Sequence, residues 1–332
     1  MGGILGARVM PCPPELRPAA LEVLYRRMPA TLRGHLIAEV LADAQAGDLD
    51  LSGLWVARIR SGRIIGAMMT QALAGKVAAV WPPEVRPSWR RAPMAAALVR
   101  SALENLSTRG YRLAQAALDE SAGPQAARDL ARGGMPHITE LLYLERDTTT
   151  PLPWPIPGPD HDRREATATA TATATAPDFV WRPYAPAIAE EFRAVLQATY
   201  EGSLDMPELE GTRSLEDILA GHQAAGLFVP ARWQLGALAG EPDSGAVLLL
   251  NEAPGREAWE VIYLGLTPTA RGRGLGRAVI RHALDLARRA GAPVLELAVD
   301  LRNSPAVRLY RQTGFTPRDR RSVHLAVLRG PG

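Results

Sequence analysis

The chain has 332 residues, of which 47% are hydrophobic and 22% charged, and this composition is typical of soluble globular domains. Its 38 Lys and Arg against 35 Asp and Glu residues leave a net charge of +3, which is too small and too evenly spread to predict a nucleic-acid partner. The single cysteine, Cys12, excludes an internal disulfide and a multi-cysteine zinc site, and the scattered histidines predict no metal site.

The N-terminal sequence MGGILGARVMPCPPELRPAA lacks the charged start and the long apolar run of a secretory signal. No apolar stretch of the chain reaches membrane-spanning length. We therefore expect a cytoplasmic protein with no membrane partner. The small positive charge suits a local pocket for an acidic ligand.

Strands and helices alternate in the first half of the chain. Residues 54–73, LWVARIRSGRIIGAMMTQAL, predict a β-hairpin with Ser61 and Gly62 at its turn. The elements predicted to follow are a strand at 77–81, a helix at 94–106, a strand at 113–118 and a shorter helix at 124–132.

A linker divides the chain at residues 148–177. Its first part, TTTPLPWPIPGPDHD, is too rich in proline to pair as a central strand or to continue a helix. The Ala/Thr repeat at 166–176 offers too little apolar area to anchor a strand, so the segment is predicted to be a flexible tether. This division predicts one domain at 1–147 and another at 178–332.

The second half repeats the order of elements in the first. The predicted elements are strands at 233–238, 246–251 and 259–266, a helix at 274–290, a strand at 294–299 and a helix at 305–313. The segment LVRSALENL, which starts at Leu98, aligns with VIRHALDLA, which starts at Val279. The sequence therefore predicts two copies of one α/β (α+β) domain.

The two copies differ at a glycine-rich loop. In the second copy the stretch TARGRGLGRAVI, at 269–280, joins a strand to a helix. In the first copy the positions of Gly274 and Gly276 are held by proline and alanine. With one residue of slip, Leu130 of the first copy takes the place of Tyr310. The first copy has therefore lost residues with which the second could bind and act on a ligand.

The glycine loop is predicted to bind a pyrophosphate. The start of a helix exposes N–H groups without partners and concentrates partial positive charge. The residues concerned are Arg271, Gly272, Arg273, Gly274, Leu275, Gly276 and Arg277. The glycines allow successive amides to wrap an anion, and the arginines add full charges that suit phosphate oxygens. The alternative is an ordinary glycine-rich turn between a strand and a helix.

Two other phosphate-binding motifs fit the loop less well. A P-loop requires Lys and then Ser or Thr after its last glycine, where Arg277 and Ala278 stand. A dinucleotide-binding loop requires a third glycine at the position of Arg277, although Asp300 ends the next strand about where a ribose-binding acid is expected. A dinucleotide-binding oxidoreductase therefore stays open as an alternative.

A second segment, NSPAVRLYRQTGF at 303–315, forms with the glycine loop a combined motif that is more specific than the glycines alone. Together with the pattern Arg271-x-x-Gly274-x-Gly276, it resembles the acetyl-coenzyme A (acetyl-CoA) signature of the GCN5-related N-acetyltransferase (GNAT) family, over residues 181–328. The tandem layout with a degraded first copy is similar to that of two-domain members such as mycothiol synthase. The resemblance implies two GNAT-like domains, each with a mixed, mostly antiparallel central sheet flanked by helices.

The resemblance also implies how acetyl-CoA would bind. In the family the diphosphate lies on the amides of the glycine loop, which correspond to residues 271–276. The pantetheine arm pairs like an added strand with the strand before the loop, which corresponds to the backbone groups of Leu264 and Leu266. This requires an exposed edge where the strands at 259–266 and 294–299 diverge.

Three further residues receive roles from the resemblance. Glu260 takes the position of the family's general base, and its alternative is an exposed charge at a strand end. Tyr310 matches the tyrosine that protonates the CoA thiolate, and its alternative is a packed aromatic side chain. Asn303 is expected to contact the cofactor, or else to serve only the turn before a helix capped by Ser304. Strand alternation predicts one common face for Glu260, Ile262, Leu264 and Leu266.

The resemblance therefore implies an N-acetyltransferase that moves the acetyl group of acetyl-CoA directly to a primary amine in a ternary complex. The second domain would be catalytic and the first a scaffold, while a non-catalytic acyl-CoA-binding module is the alternative. The acceptor stays open among a small amine, an aminoglycoside-like sugar, an amino-acid conjugate and a peptide N-terminus. The segment at 200–218 carries four early acids that would attract a cation, or else form an ordinary acidic surface loop.

Overall fold

The structure, a computed structural model, describes residues 6–153 and 179–329, which form two compact units. The first unit contains the described residues up to Glu140 and those from Arg321 onwards. The second contains the described residues between Leu141 and Arg320. Each unit has its own hydrophobic core.

The first unit is a sheet with helices on its faces. Its elements are β1 (Ala7–Pro11), α1 (Arg17–Leu24), α2 (Ala30–Ala46), β2 (Leu54–Ile59), β3 (Ile64–Leu73), β4 (Val77–Val80), β5 (Glu84–Val85), α3 (Arg91–Thr108), β6 (Leu113–Leu118), α4 (Gly123–Gly133) and the start of β7 (His137–Asp147). Strands β1 to β4 pair antiparallel in chain order, and β4 pairs with β6 in parallel. The predicted hairpin at 54–73 is confirmed, and its turn depends on Gly62, whose φ of +88° favours glycine.

The second unit repeats this order. Its elements are the end of β7, β8 (Phe179–Pro183), α5 (Ala189–Tyr200), α6 (Leu215–Ala224), β9 (Trp233–Leu238), β10 (Glu241–Glu252), β11 (Ala258–Leu266), α7 (Gly276–Arg289), β12 (Val294–Asp300), α8 (Ser304–Gln312) and the start of β13 (Thr316–Val327). Strands β8 to β11 pair antiparallel, and β11 pairs with β12 in parallel. The predicted mixed, mostly antiparallel sheet is thus confirmed.

The last strand of each half of the sequence lies in the unit that the other half builds. Residues 141–147 of β7 pair antiparallel with β12, and residues 322–327 of β13 pair antiparallel with β6. The two units therefore differ from the predicted domains 1–147 and 178–332 at these strands. Local periodicity carries no information on this exchange, because a strand's partner is decided by contacts distant in sequence.

The predicted linker lies largely outside the described residues, which resume at 179. Its start belongs to the second unit, since the Thr148 hydroxyl donates to the carbonyl of Ala292 at 2.7 Å. Within residues 6–153 and 179–329, no helix combines the length and the apolar character that a membrane crossing requires.

The sheet of the second unit separates two layers of helices. On one face, Val279 and Ile280 of α7 pack with Val261 of β11 in a buried cluster that also contains α8. On the other face, Phe192 and Leu196 of α5 pack in a second buried cluster with side chains of β9 and β10. Strand β11 therefore has a helix layer on either side of it.

Candidate functional site

Strands β11 and β12 start side by side and then diverge. Their parallel ladder ends where Val261 lies opposite Leu297, although β11 continues to Leu266. On its other edge β11 stays paired with β10 up to Leu266. One edge of β11 is therefore left without β12 along residues 262–266, and the predicted divergence of these two strands is confirmed.

A β-bulge interrupts β11 within this stretch. Tyr263 lies opposite Leu249 and Val261 lies opposite Leu250, so Ile262 is an extra residue on β11. After the bulge, Tyr263 turns to the face that carries α5. Its hydroxyl lies 2.9 Å from the hydroxyl of Thr199 near the end of α5.

The bulge corrects the predicted alternation of side chains along β11. Ile262 packs in the cluster around α5, whereas Leu264 and Leu266 pack in the cluster around α7 and α8. The common face predicted for these residues and Glu260 is therefore wrong. The physical reason is that one inserted residue reverses the face of every residue after it.

The backbone groups of Leu264 and Leu266 lie on the open edge of β11. The N–H of Thr267 donates to the carbonyl of Gly245 in β10 at 3.0 Å. Because successive residues of a strand direct their backbone groups to opposite neighbours, those of Leu264 and Leu266 point away from β10. The structure thus brings both predicted pantetheine-binding residues to an edge where another strand could be added.

The glycine loop presents a run of amides to open space. Gly272 and Gly274 have φ values of +73° and +77°, which glycine adopts readily. A Cβ added to either would meet nothing within 4 Å. Among the described residues, no acceptor bonds the N–H groups of Gly272, Arg273, Gly274 and Leu275. These donors stand beside the start of α7, where an anion is also favoured by the helix dipole.

Gly276 has a different role from the other two glycines of the loop. A Cβ added to it would lie 2.8 Å from Cδ2 of Leu309 in α8. Gly276 therefore allows α7 to pack closely against α8, and its predicted contact with a ligand stays a prediction. The helix begins at this residue and not at Gly274, because the positive φ of Gly274 is not helical.

Arg271 is engaged with protein carbonyl groups. Its guanidinium donates to the carbonyls of Thr199 and Glu201, at the end of α5, over 2.8 and 2.6 Å. Its Nε donates to the carbonyl of Leu266 at 3.0 Å. The side chain therefore braces the loop between α5 and β11, while the phosphate contact predicted for it stays a prediction.

The other two arginines of the loop lie nearer the surface. Arg273 forms two hydrogen bonds with the carboxylate of Glu241, at 2.6 and 2.8 Å. Arg277 donates to the side-chain oxygen of Gln312 at 3.1 Å. Solvent screens exposed pairs of this kind, so Arg273 can exchange its partner for a phosphate at small cost.

Asn303 is the N-cap of α8. Its side-chain oxygen accepts a hydrogen bond from the N–H of Ala306 at 3.3 Å. The predicted cap, Ser304, is instead the first helical residue. Asn303 thus has the structural role that the sequence left open, and its contact with a cofactor stays a prediction.

Asp300, on which the dinucleotide alternative depends, is fully buried. Its carboxylate accepts hydrogen bonds from the N–H of Met206 at 3.1 Å and from the guanidinium of Arg302 at 2.7 Å. Arg302 also binds the carboxylate of Glu208 with two hydrogen bonds of 2.7 and 2.9 Å. Asp300 is therefore used to fasten the acidic segment at 200–218 to the end of β12.

Tyr310 lies in the core beside Phe315, with 7% of its surface exposed. Burial raises the pKa of its hydroxyl, and the Asp205 carboxylate and the Tyr263 hydroxyl raise that pKa further. The phenol is therefore protonated at neutral pH. Tyr310 is thus a packed aromatic side chain, which was the alternative to its role as an acid. Its hydroxyl nevertheless carries a proton that a leaving group could accept.

Glu260 stands in a row of carboxylates that crosses three strands. It lies opposite Glu296 of β12, which in turn lies opposite Glu145 of β7. Burial and then the charge of Glu296 raise the pKa of Glu260, whereas Arg318 lowers it. A carboxylate with a raised pKa is suited to accept a proton near neutral pH.

The charges that act on Tyr310 differ from those that act on Glu260. Asp205 and Tyr263 act on Tyr310, whereas Glu296 and Arg318 act on Glu260. Asp205 is an exposed residue. Its Oδ1 nevertheless accepts a hydrogen bond from the N–H of the buried Asp300 at 3.0 Å. Desolvation raises the pKa of the Asp205 carboxyl to about 6. In the sequence, Asp205 is only one acid among several in its segment.

A comparison with protein families decides what the second half is. The sequence model of the acetyltransferase (GNAT) family matches residues 192–315, a segment that contains the glycine loop, Glu260 and Tyr310. Residues 192–315 belong to the GNAT family. The matched segment thus begins within α5 and ends just after α8.

Relatives of the chain include two mycothiol acetyltransferases. The protein from Beutenbergia cavernae is 34% identical over 110 residues, which are 32% of this chain and 36% of that protein. The protein from Thermobispora bispora is 32% identical over 198 residues, which are 58% of this chain and 59% of that protein. The chain therefore matches less than two thirds of the length of these relatives.

A solved structure extends the likeness beyond the GNAT domain. The GCN5-related N-acetyltransferase from Sphaerobacter thermophilus has a TM-score of 0.54 to this chain and 19% sequence identity, and the superposition covers 100% of this chain and 98% of that one. At this identity the likeness shows the fold alone. It confirms the predicted fold class of α/β (α+β) domains in tandem.

Proposed function

We propose that the chain is an N-acetyltransferase that moves the acetyl group of acetyl-CoA to a primary amine, and that its GNAT domain carries out the reaction. The proposal depends on one coincidence within the second unit. The backbone N–H groups of residues 272–275, in the loop after β11, have no acceptor among the described residues. The edge of β11 that leads to this loop is not paired with β12. Acetyl-CoA joins a diphosphate to an extended, amide-bearing arm, so its two parts fit the two features.

The loop and the strand would divide acetyl-CoA between them. The N–H groups of residues 272–275 would hold the diphosphate, helped by the positive end of α7. Arg273 and Arg277 lie beside the loop and would add charge to this contact. The backbone groups of Leu264 and the N–H of Leu266 would pair with the pantetheine arm, while the Leu266 carbonyl accepts from Arg271. We propose that this placement would bring the thioester near Tyr310.

Acetyl transfer forms a bond between the amine nitrogen and the acetyl carbon, and it breaks the bond between that carbon and sulfur. The departing sulfur then takes the proton of the Tyr310 hydroxyl. Burial keeps this phenol protonated until that step. The same apolar surroundings raise the pKa of the leaving thiol, so the proton transfer stays close to balanced in energy.

The acceptor amine must lose a proton, and two carboxylates are available to it. We propose that Glu260 accepts this proton, since burial and Glu296 raise its pKa. Asp205 would position the acceptor amine, since its carboxylate is the charged group that acts on Tyr310. The acidic segment would thus attract an amine in its cationic form, and Glu260 would convert it to the nucleophile.

The acceptor is proposed to be the amine of a small molecule. The relatives are named mycothiol acetyltransferases, so the amine that those enzymes acetylate is the first acceptor to test. Aminoglycoside-like sugars and short peptides with a free N-terminus complete the panel. The acidic segment favours cationic acceptors throughout this panel.

The test uses the full chain, because removing residues 178–332 would also remove β13 from the first unit. CoA and acetyl-CoA are titrated by calorimetry, and thiol release is followed with each amine. We expect heat on CoA addition and turnover with at least one amine. Heat without turnover would favour the non-catalytic binding module, whereas no heat would refute the proposal.

A further inference from the structure

The first unit contains a cleft of about 480 Å³, a volume typical of small-molecule sites. It lies beyond the end of the β4–β6 ladder, since Trp81, Pro82 and Pro83 after β4 and Ser121 and Ala122 after β6 line it. The apolar side chains that line it include Leu21, Leu24, Val40, Leu51 and Met69. The cleft thus takes the place in the first unit that the open edge of β11 takes in the second.

The backbone of this cleft is unsuited to a diphosphate with an extended arm. The segment after β4 carries Pro82 and Pro83, which have no N–H groups to pair with an added strand. Helix α3 begins at Arg91 and has Pro93 in its first turn, where the second unit has glycines. The unit therefore lacks both features that the proposed acetyl-CoA site requires.

The charged groups that line the cleft neutralise one another. Arg91 Nη1 donates to the fully buried carboxylate of Asp129 at 2.9 Å. Arg27 Nε lies 2.6 Å from a carboxylate oxygen of Glu84. An ionic ligand would therefore lose its hydration without gaining a counter-charge, whereas a neutral ligand would not meet this cost.

Besides Ser121, two neutral polar groups line the cleft. They are the Tyr25 hydroxyl and the Gln71 amide, and neither side chain has a hydrogen-bond partner among the described residues. A ligand could satisfy one or both with a single hydroxyl, carbonyl or amine. Polar groups of this kind orient a ligand whose affinity comes from the apolar surface.

We propose that this cleft binds a neutral, predominantly apolar small molecule that carries one hydrogen-bonding group. The probe is N-phenyl-1-naphthylamine, a neutral dye, and the comparison is 8-anilinonaphthalene-1-sulfonate, which adds an anionic group to nearly the same frame. We expect the neutral dye to bind the full chain in a 1:1 ratio, with an affinity about tenfold or more above that of the sulfonate.

Two variants locate the bound dye. Trp81→Ala removes an apolar wall of the cleft and is expected to weaken binding about fivefold or more. Trp89→Ala is the matched control, because Trp89 is 81% exposed and does not line the cleft, and it should leave the affinity unchanged. Gln71→Trp, at an exposed lining position, should block the dye even if Trp81→Ala does not fold.

Several results would overturn the proposal. They are no binding of the neutral dye, equal affinity for the sulfonate, unchanged affinity in Gln71→Trp, and displacement of the dye by CoA at concentrations that saturate the chain. None of these readouts uses acetyl transfer. The cleft proposal can therefore fail while acetyltransferase activity is found. It can also hold while no acetyltransferase activity is found.

Discussion

Arg271 Nε donates a 3.0 Å hydrogen bond to the carbonyl of Leu266, so one side chain ties the glycine loop to the end of β11. The same guanidinium holds the carbonyls of Thr199 and Glu201 at the end of α5. The two proposed contacts for acetyl-CoA, the loop and the strand edge, are therefore held in place by a residue that does not need to touch the cofactor.

Replacing Arg271 should affect both folding and binding. Arg271→Ala removes several charge-assisted hydrogen bonds, so we expect it to lower the free energy of unfolding by roughly 1–3 kcal/mol and to weaken CoA binding. Arg273→Ala, which breaks the exposed pair with Glu241, should change the stability much less, because solvent screens such pairs. Urea unfolding and calorimetry measure both. Equal stability losses in the two variants would contradict the bracing role.

The loop glycines offer a test that separates strain from ligand contact. Gly274 and Gly291 both have φ of +77°, and a Cβ at either meets nothing within 4 Å. Alanine at either position should therefore cost a similar backbone strain of about 1 kcal/mol. Only Gly274→Ala would place a methyl group on the proposed diphosphate site, so only this variant should lose CoA affinity. Equal CoA affinity in the two variants would exclude the loop as the cradle.

Tyr310→Phe should lower kcat by about 10²-fold or more, because general acid catalysis contributes effects of this size. Its CoA affinity should change little, since the ring stays in the core. Tyr263→Phe is the control, because the Tyr263 hydroxyl already shares a hydrogen bond with Thr199. Steady-state rates and calorimetry distinguish the two variants. Equal rates for Tyr310→Phe and the unchanged chain would remove the acid from the mechanism.

The pH dependence should identify the base. Burial and Glu296 raise the pKa of Glu260, and a base must be ionised, so kcat/KM should fall as pH drops through this raised pKa. Glu296→Gln removes the like charge, which lowers the pKa of Glu260 and should move the acid limb to lower pH. Glu257→Gln, at an exposed position before β11, should leave the limb in place.

Asp205 is the other carboxylate that could produce the acid limb of the pH–rate profile. Desolvation raises its pKa to about 6, so it too would produce a fall in rate on the acid side. If Asp205 positions the amine, Asp205→Asn should raise KM for the acceptor more than it lowers kcat. If the acid limb disappears in Asp205→Asn and remains in Glu260→Gln, Asp205 is the base and Glu260 is not.

Cys12 should not react with thiol reagents in the folded chain. Burial raises its pKa to about 11, so roughly 0.1% of it is thiolate at pH 8. Thiol-release measurements should therefore report CoA alone, and one thiol per chain should appear in denaturant. Rapid labelling of the native chain by Ellman's reagent would contradict this environment.

Much of the fold follows from local pattern in the sequence. The hairpin at 54–73 and the strands at 113–118 and 233–238 were predictable because alternation and turn residues are read within a few positions. The glycine loop could be recognised in the same way, since glycines between a strand and a helix favour exposed amides. The family match at 192–315 contains this loop.

Only the tertiary structure decided which distant groups meet. Four features depend on partners distant in sequence: the exchange of β7 and β13, the bulge at Ile262, the bracing by Arg271 and the hydrogen bond between Asp205 and Asp300. Sequence periodicity predicts which face of a helix or strand is buried. It does not predict which other element packs against that face. The order of the elements could therefore be predicted from the sequence, whereas the surroundings of each candidate site residue could not.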